Sequence, residues 1–310
     1  MSAGRSASPL AQFGARAVLA LLWLLHLLPL GLQAALGRGL GRLLYALAGS
    51  RRRVALRNLQ LCFPDLDGAA RERLAREHFQ WLARSLLERG LLWYASHDRL
   101  RRLIHVEGEV DWADRHPDRA VMWLVPHFVA LDVAGASTQL FQRRQVASIY
   151  QSQSNPVFDA AMRRGRLRFG QGQVFSRGER ALPLIRAVRQ GHVFFNLPDM
   201  DFGERDAGFV PFFGVSAATL LAPARMARSL NMVVQPVVAE LLPGGQGYRV
   251  RFLPPWEDFA GDDDLAAARR MNAWIEDEVR RLPAQYLWVH RRFKTRPPGE
   301  ADRYGRDRGG

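Results

Sequence analysis

Cysteine is nearly missing from this chain. Cys62 is the only one in 310 residues, which excludes an intrachain disulfide and a multi-cysteine metal centre. A lone thiol among apolar neighbours reads as a small hydrophobe, not a nucleophile. Lysine is equally scarce: Lys294 stands alone, although Lys and Arg together number 44. Acidic residues are absent before Asp65, while Arg5, Arg16, Arg38, Arg42 and the Arg51-Arg52-Arg53 run all precede it. There is no Gly-x-Ser-x-Gly, which removes a hydrolase nucleophile elbow, and no His-Glu-x-x-His, which removes a zincin-type site. Gly37, Gly39 and Gly41 follow an apolar stretch instead of a strand and lack the dinucleotide-binding spacing. His26, His78, His97, His105, His116, His192 and His290 have no metal-ligand spacing. The sequence therefore asks for no metal and no organic cofactor.

What is present is positive charge carried by guanidinium groups, a formal +14 at pH 7. Arginine grips phosphate or carboxylate in a two-pronged fork that lysine cannot form. Three kinds of partner fit: a phosphorylated substrate, an anionic membrane surface and an acidic carrier protein. Codon composition accounts for arginine over lysine but not for the net charge. Nucleic acid is a poor fit, because no recognised motif and no basic face interleaved with aromatics is found.

Residues 17–36 form an apolar stretch without formal charge, about the length that crosses a bilayer core of roughly 30 Å. The expectation is a membrane anchor helix over 17–36 after an N-terminal segment, 1–16. Arginines are denser after it, so a spanning helix would leave the main body on the cytoplasmic side. His26, Pro29 and Gln33 interrupt the stretch, so a helix lying in the headgroup plane stays open as the alternative. A cleaved signal peptide is disfavoured by the length of the run and the lack of an Ala-x-Ala site.

Beyond the anchor, residues 68–96 carry a helical period. Strand-like apolar runs at 103–106, 120–125, 146–150, 193–195, 232–239 and 248–253 then alternate with helical patterns at 130–141, 156–169, 179–190, 217–230 and 265–281. This alternation predicts an α/β fold with a mixed, mostly parallel sheet flanked by helices. Pro243-Gly244-Gly245-Gln246-Gly247 marks a hairpin and hence one antiparallel pair. The 196–216 stretch holds Pro198, Gly203, Gly208, Pro211 and Gly214 and reads as a functional loop. Residues 37–296 are taken as one catalytic domain, and 297–310, rich in Pro, Gly and mixed charge, as a disordered tail.

The chemistry centres on His127 and Asp132. Five residues along one continuous helix turn a side chain by about 140°, so the pair would not share a face. A strand, a tight turn and a helix fit better, with His127 at the turn and Asp132 just inside the helix. A neutral imidazole is suited to take a hydroxyl proton, and a carboxylate to orient it. Arg166 and Arg168 follow Gly165 near a helix end, as phosphate or carrier ligands or as solvated terminal cations. Asp199 and Asp201 follow a strand-like run. They are candidates to bind sugar hydroxyls, to brace an arginine or to form Asx turns. Phe209, Phe212 and Phe213 fit a core better than an acyl slot.

These blocks, in order, resemble one family. They are Arg51-Arg52-Arg53-Val54-Ala55-Leu56-Arg57-Asn58-Leu59, Pro126-His127-Phe128 to Asp132, Asn155-Pro156 to Arg168, Pro198-Asp199-Met200-Asp201-Phe202-Gly203, Phe209 to Gly214, and Pro283 to Pro297. The chain is similar to the late lipid A acyltransferases of the lauroyl/myristoyl type. Many members carry Glu where this chain has Asp132. The resemblance implies a glycerolipid-acyltransferase-like fold and His127 as general base with Asp132 as its partner. It also implies direct transfer of a saturated fatty acyl chain from acyl carrier protein to a hydroxyl of a lipid A precursor. Substrate contacts are expected from Arg166, Arg168, Asp199 and Asp201. Two alternatives remain at this point: acylation of another glycolipid or an aminolipid, and a non-catalytic basic protein that binds anionic membrane lipid.

Overall fold

The computed structural model of the chain describes residues 8–170, 172–177 and 181–305. Five helices come first: α1 (Pro9–Leu25), α2 (Leu30–Leu47), α3 (Gly49–Cys62), α4 (Gly68–Tyr94) and α5 (His97–Leu103). An alternating series follows: β1 (Ile104–Gly108), α6 (Trp112–Arg115), β2 (Ala120–Leu124), α7 (Leu131–Leu140), β3 (Val146–Tyr150), α8 (Pro156–Leu167), β4 (Gly172–Ser176), α9 (Leu182–Arg189) and β5 (Val193–Asn196). The chain then forms β6 (Ala207–Phe212), β7 (Val215–Leu220), α10 (Ala222–Ser229), β8 (Met232–Leu241), β9 (Tyr248–Phe252) and α11 (Asp264–Arg281).

Seven strands make one sheet in the order β1-β9-β8-β2-β5-β3-β4, with β6 and β7 as a separate antiparallel pair. Within the large sheet only β8 and β9 run antiparallel; the other neighbours are parallel. The expected mixed, mostly parallel α/β sheet is thus present, with its hairpin at 243–247. The central strands β2 and β8 are buried on both faces, as parallel sheets require. Alternate residues divide between two cores: Val121 and Trp123 pack with α7 and the end of α4, whereas Met122 and Leu124 pack with α3, α9, α10 and α11. Cys62 lies buried in the second core.

The membrane helix expected over 17–36 is corrected. Two helices occupy that region, broken at residues 26–29, and no helix among the described residues is long and apolar enough to cross a membrane. The cause is local. Pro29 has no N–H for a continuing helix and disfavours helical geometry at Leu28, so it becomes the residue that starts α2. The partner face is then covered by protein. A methyl group placed on Gly41 would stand 2.4 Å from the Gln80 Cα, and one on Gly37 would stand 2.6 Å from the Arg84 Cα. Those glycines let α2 lie directly on the backbone of α4.

Three further differences have simple reasons. Residues 217–220, read as the start of a helix, belong to β7 (Val215–Leu220); the helix begins later, at Ala222, with Pro223 in its first turn. The 196–216 stretch contains β6 as well as a loop. Residues 297–305, read as a disordered tail, pack back on α3. There the Tyr304 hydroxyl donates to Asn58 Oδ1 at 2.5 Å and accepts from the Phe293 N–H at 3.0 Å. Residues 1–7 and 306–310, and Glu179 of the 179–190 pattern, lie outside the described residues.

Candidate active site

Two neighbouring parallel strands end side by side, and the site is built from the loops that leave them. Leu124 of β2 pairs with Asn196 of β5. The turns carrying His127 and Asp199 therefore meet at the carboxyl edge of the sheet, where open α/β sheets hold their ligands. The turn after β2 is tight, and α7 begins at Leu131 with Asp132 in its first turn, matching the local geometry read from the spacing.

His127 has a carboxylate partner, but it is Asp199. Asp199 Oδ1 lies 2.7 Å from His127 Nδ1, and its two oxygens accept the His127 backbone N–H at 2.9 and 3.2 Å. Asp199 is only 1 % exposed. Burial pushes its carboxyl up, yet the His127 ring and N–H outweigh that and hold it below the usual range. This contact assigns the ring proton to Nδ1, which leaves the lone pair on Nε2, the tautomer that a general base needs.

Asp132 faces another way. Its Oδ2 lies 2.9 Å from Arg89 Nε and its Oδ1 3.0 Å from Arg166 Nη2. Burial pushes this carboxyl up, and the two guanidinium groups more than reverse the effect, bringing it down to about 2. The direct His127–Asp132 dyad is therefore replaced by two units: a His127–Asp199 pair, and an Asp132 carboxylate clasped by two arginines. A side chain one step inside α7 points toward α4 and α8, the helices that supply Arg89 and Arg166.

His127 and the Arg89–Asp132–Arg166 group line one cavity of about 470 Å³. Arg177 also faces it, with its guanidinium 3.3 Å from the centre of the Phe202 ring. Leu82, Leu86, Phe158, Met162 and Met200 give the remaining wall an apolar character. Of the other expected ligands, Arg166 lines this cavity and Asp199 is buried behind His127, whereas Arg168 and Asp201 serve the scaffold. Arg168 donates to the carbonyls of Leu92 and Ala95 and so satisfies acceptors at the end of α4. Asp201 accepts from the Gly203 N–H at 3.0 Å, the Thr295 N–H at 2.6 Å and the Thr295 hydroxyl at 2.7 Å. Phe212 is fully buried in the core.

The C-terminal segment completes the site. Val129 N–H donates to the Gln285 carbonyl at 2.8 Å, and Leu287 N–H to the His127 carbonyl at 3.0 Å. Phe128 and Tyr286 form an antiparallel bridge between them. The buried Tyr286 hydroxyl faces Asp199, and burial with that carboxylate keeps the phenol protonated far above its ordinary range. His290 Nε2 accepts the Asp201 N–H at 3.0 Å. Burial, with the neighbouring His127 and Arg292, lowers the His290 imidazole to about 4. Asn58 on α3 ties the segment down by donating to the Trp288 and His290 carbonyls, each at 2.7 Å.

Arg89, Arg177, Tyr286 and His290 were not singled out from the sequence. Arg89 had a signal: it continues the Leu82, Ser85, Leu86 face of α4 at helical spacing. Tyr286 and His290 had none beyond their position in a block of family resemblance.

Comparison with known proteins agrees with this architecture. The pattern of the family described as "Bacterial lipid A biosynthesis acyltransferase" matches residues 4–295. The chain is 32 % identical over 285 residues to the lipid A biosynthesis lauroyltransferase of Escherichia coli K12, covering 91 % of this chain and 92 % of that protein. It is 33 % identical over 289 residues to the palmitoleoyltransferase of the same strain, covering 92 % of each. To the myristoyltransferase of that strain it is 35 % identical over 276 residues, covering 88 % of this chain and 83 % of the other. The chain belongs to the bacterial lipid A biosynthesis acyltransferase family.

Proposed function

We propose that this protein transfers a saturated fatty acyl chain from acyl carrier protein to a hydroxyl of a lipid A precursor. The observation that carries the reading is the 2.7 Å contact between His127 Nδ1 and Asp199, on the wall of a cavity that also presents Arg89 and Arg166. His127 Nε2 takes the proton of the acceptor hydroxyl as its oxygen attacks the thioester carbonyl carbon. Asp199 stabilises the imidazolium so formed. The tetrahedral intermediate expels the carrier's thiolate, which takes the proton back from Nε2. The new bond is an ester, and no acyl-enzyme is needed.

Asp132 holds Arg89 and Arg166 in a fixed fork. Together the three groups carry one net positive charge and keep further N–H donors for a phosphate oxygen of the acceptor. No metal or organic cofactor enters this scheme.

The same reading places the protein on the cytoplasmic face of the inner membrane as a peripheral protein. Large apolar side chains stay exposed along α1, α2 and the break between them, among them Leu10, Phe13, Leu24, Leu27 and Leu47, at 55–80 % exposure. Exposed Arg16, Arg38, Arg42, Arg51 and Arg53 accompany them. An apolar face flanked by arginines suits a surface of anionic lipid.

The test uses purified full-length protein, acyl carrier protein loaded with saturated chains, and a phosphorylated lipid A precursor, read by mass spectrometry. The expected product carries one added acyl group and is absent with His127→Ala. Retention of more than a few per cent of wild-type turnover by that variant defeats the general-base role. Absence of product from every carrier-bound donor defeats the reading as a whole.

A further inference from the structure

A second, smaller cavity of about 70 Å³ opens off the wall of the catalytic one. The two share Leu131, Asp132, Arg166, Phe195 and Leu197. From this common mouth the slot runs between α7 and α8, over β3 and β4. Its walls are mostly apolar, with Leu92, Trp93, Val146, Leu167, Phe169 and Val174. Gln139 and Gly172 come close together on its lining: a methyl group placed on Gly172 would stand 3.0 Å from Gln139 Oε1. Gln139 is held there by two hydrogen bonds from Nε2, to the Gly135 carbonyl at 2.9 Å and the Arg166 carbonyl at 3.1 Å.

An apolar slot that begins at a polar mouth suits a linear hydrocarbon whose reactive end stays at the mouth. Apart from Thr138, Gln139, Ser148 and Gln173 the lining beyond the mouth offers little for a polar ligand to bond. One side of the slot is shaped by glycine. Leu131, Gly135 and Gln139 follow one another at four-residue spacing on α7, so all three face the same direction. A Cβ added at Gly135 meets no heavy atom within 4 Å, in contrast to Gly165 across the slot, where it would collide with the Trp93 indole at 2.3 Å. Space at Gly135 is therefore open cavity.

We infer that this slot holds the distal end of the donor acyl chain and that Gly135 sets how long that chain can be. The inference rests on the acyl-transfer reading and adds the residue that measures its substrate. A side chain at Gly135 occupies the volume that the last carbons of a long chain need, while a shorter chain stops before it. One methylene in an apolar pocket discriminates by roughly 10- to 200-fold, so even a modest side chain here should be felt.

The experiment compares wild type, Gly135→Ala and Gly135→Leu with a homologous series of saturated acyl chains on acyl carrier protein and one fixed acceptor. Alanine favours a helix more than glycine does, so folding is expected to hold, and thermal melting checks it. The expected result is a preference displaced toward shorter chains, graded from Ala to Leu. For the leucine variant kcat/KM should fall on the order of 10-fold or more for the longest donor wild type accepts, with the shortest donors little changed. An unchanged length profile, or an equal loss at every length, overturns the inference while acyl transfer stands. A changed preference among acceptors with donor preference intact assigns the slot to the acceptor and also overturns it. Failure of wild type to transfer from any donor removes the acyl-transfer reading and this inference with it.

Discussion

Asp199 reaches His127 twice, once at the ring and once at the backbone N–H. The carboxylate therefore fixes the rotation of the imidazole and the path of the turn that carries it. Asp132, five residues along from His127, does neither.

The first prediction separates these two carboxylates. Asp199→Asn removes the charge that stabilises the imidazolium and favours the wrong ring tautomer, the effect known from triad carboxylates made into amides. A loss in kcat of two or more orders of magnitude is expected, about 3 kcal/mol or more of barrier. Asp132→Asn should raise the KM for the acceptor more than it lowers kcat. Steady-state kinetics on both variants, after circular dichroism shows equal folding, decide the matter. The reverse pattern would return the partner role to Asp132.

Arg89 offers a second test, because only its place on the Leu82, Ser85, Leu86 face of α4 marks it in the sequence. If the Arg89–Asp132–Arg166 fork receives a phosphate, Arg89→Gln removes one charge-assisted contact, about 1.5–3 kcal/mol. KM for a phosphorylated acceptor should then rise roughly 10- to 100-fold, and a dephosphorylated acceptor should show little difference between variant and wild type. Equal losses on both acceptors would make Arg89 a structural residue.

Membrane docking through α1 and α2 is checked by flotation with vesicles. The wild-type protein should float with phosphatidylglycerol vesicles, and Leu24→Glu with Leu27→Glu should leave most of it in the soluble fraction. Added salt should weaken binding without abolishing it, since the ionic part is screened and the apolar part is not. Complete release of the wild type by salt alone would argue that the apolar face is not inserted.

Acid should loosen the fold before it touches the carboxylates. His78 is fully buried, and its Nδ1 lies 3.0 Å from the Ala284 carbonyl. Burial lowers its imidazole to about 4 despite that contact, against about 6.5 in an unfolded chain. Between those values the unfolded chain binds the extra proton. The contribution is thus whole above pH 6.5, declines as pH falls from 6.5 to about 4, and is lost below that. The loss attributable to His78 is on the order of 3 kcal/mol; His290, lowered to the same value, acts in the same direction. Urea melts at several pH values should show a shallower decline for His78→Gln. A slope identical to wild type would count against His78.

The parts legible in the sequence were those governed by local pattern. The parallel strands announced themselves as short apolar runs, and His127 stood out because a turn between strand and helix is where chemistry is placed. Asp199 was visible as a residue at the carboxyl end of a strand, but its partner was not. That pairing depends on β5 lying beside β2, a matter of sheet order that no spacing encodes. The misreading of Asp132 has the same root: its direction is set by α4 and α8, which come from elsewhere in the chain. In residues 17–36 the apolar run suggested a spanning helix, but the break at Pro29, and just beyond it the close seat of Gly37 and Gly41 on α4, give two shorter helices instead.

The bridge between residues 127–129 and 285–287 also bears on how the protein is made. A ribosome delivers His127 long before Gln285, Tyr286 and Leu287 exist to hold it. The strands that flank β2, β5 and β8, also come later in the chain, and the histidine turn gains its clamp only when nearly the whole chain has emerged. Contacts so distant in sequence are slow to close. A prematurely released fragment carries the His127 turn with neither the clamp nor the Tyr286 hydroxyl beside Asp199. Competence for catalysis is acquired last, as a property of the finished molecule.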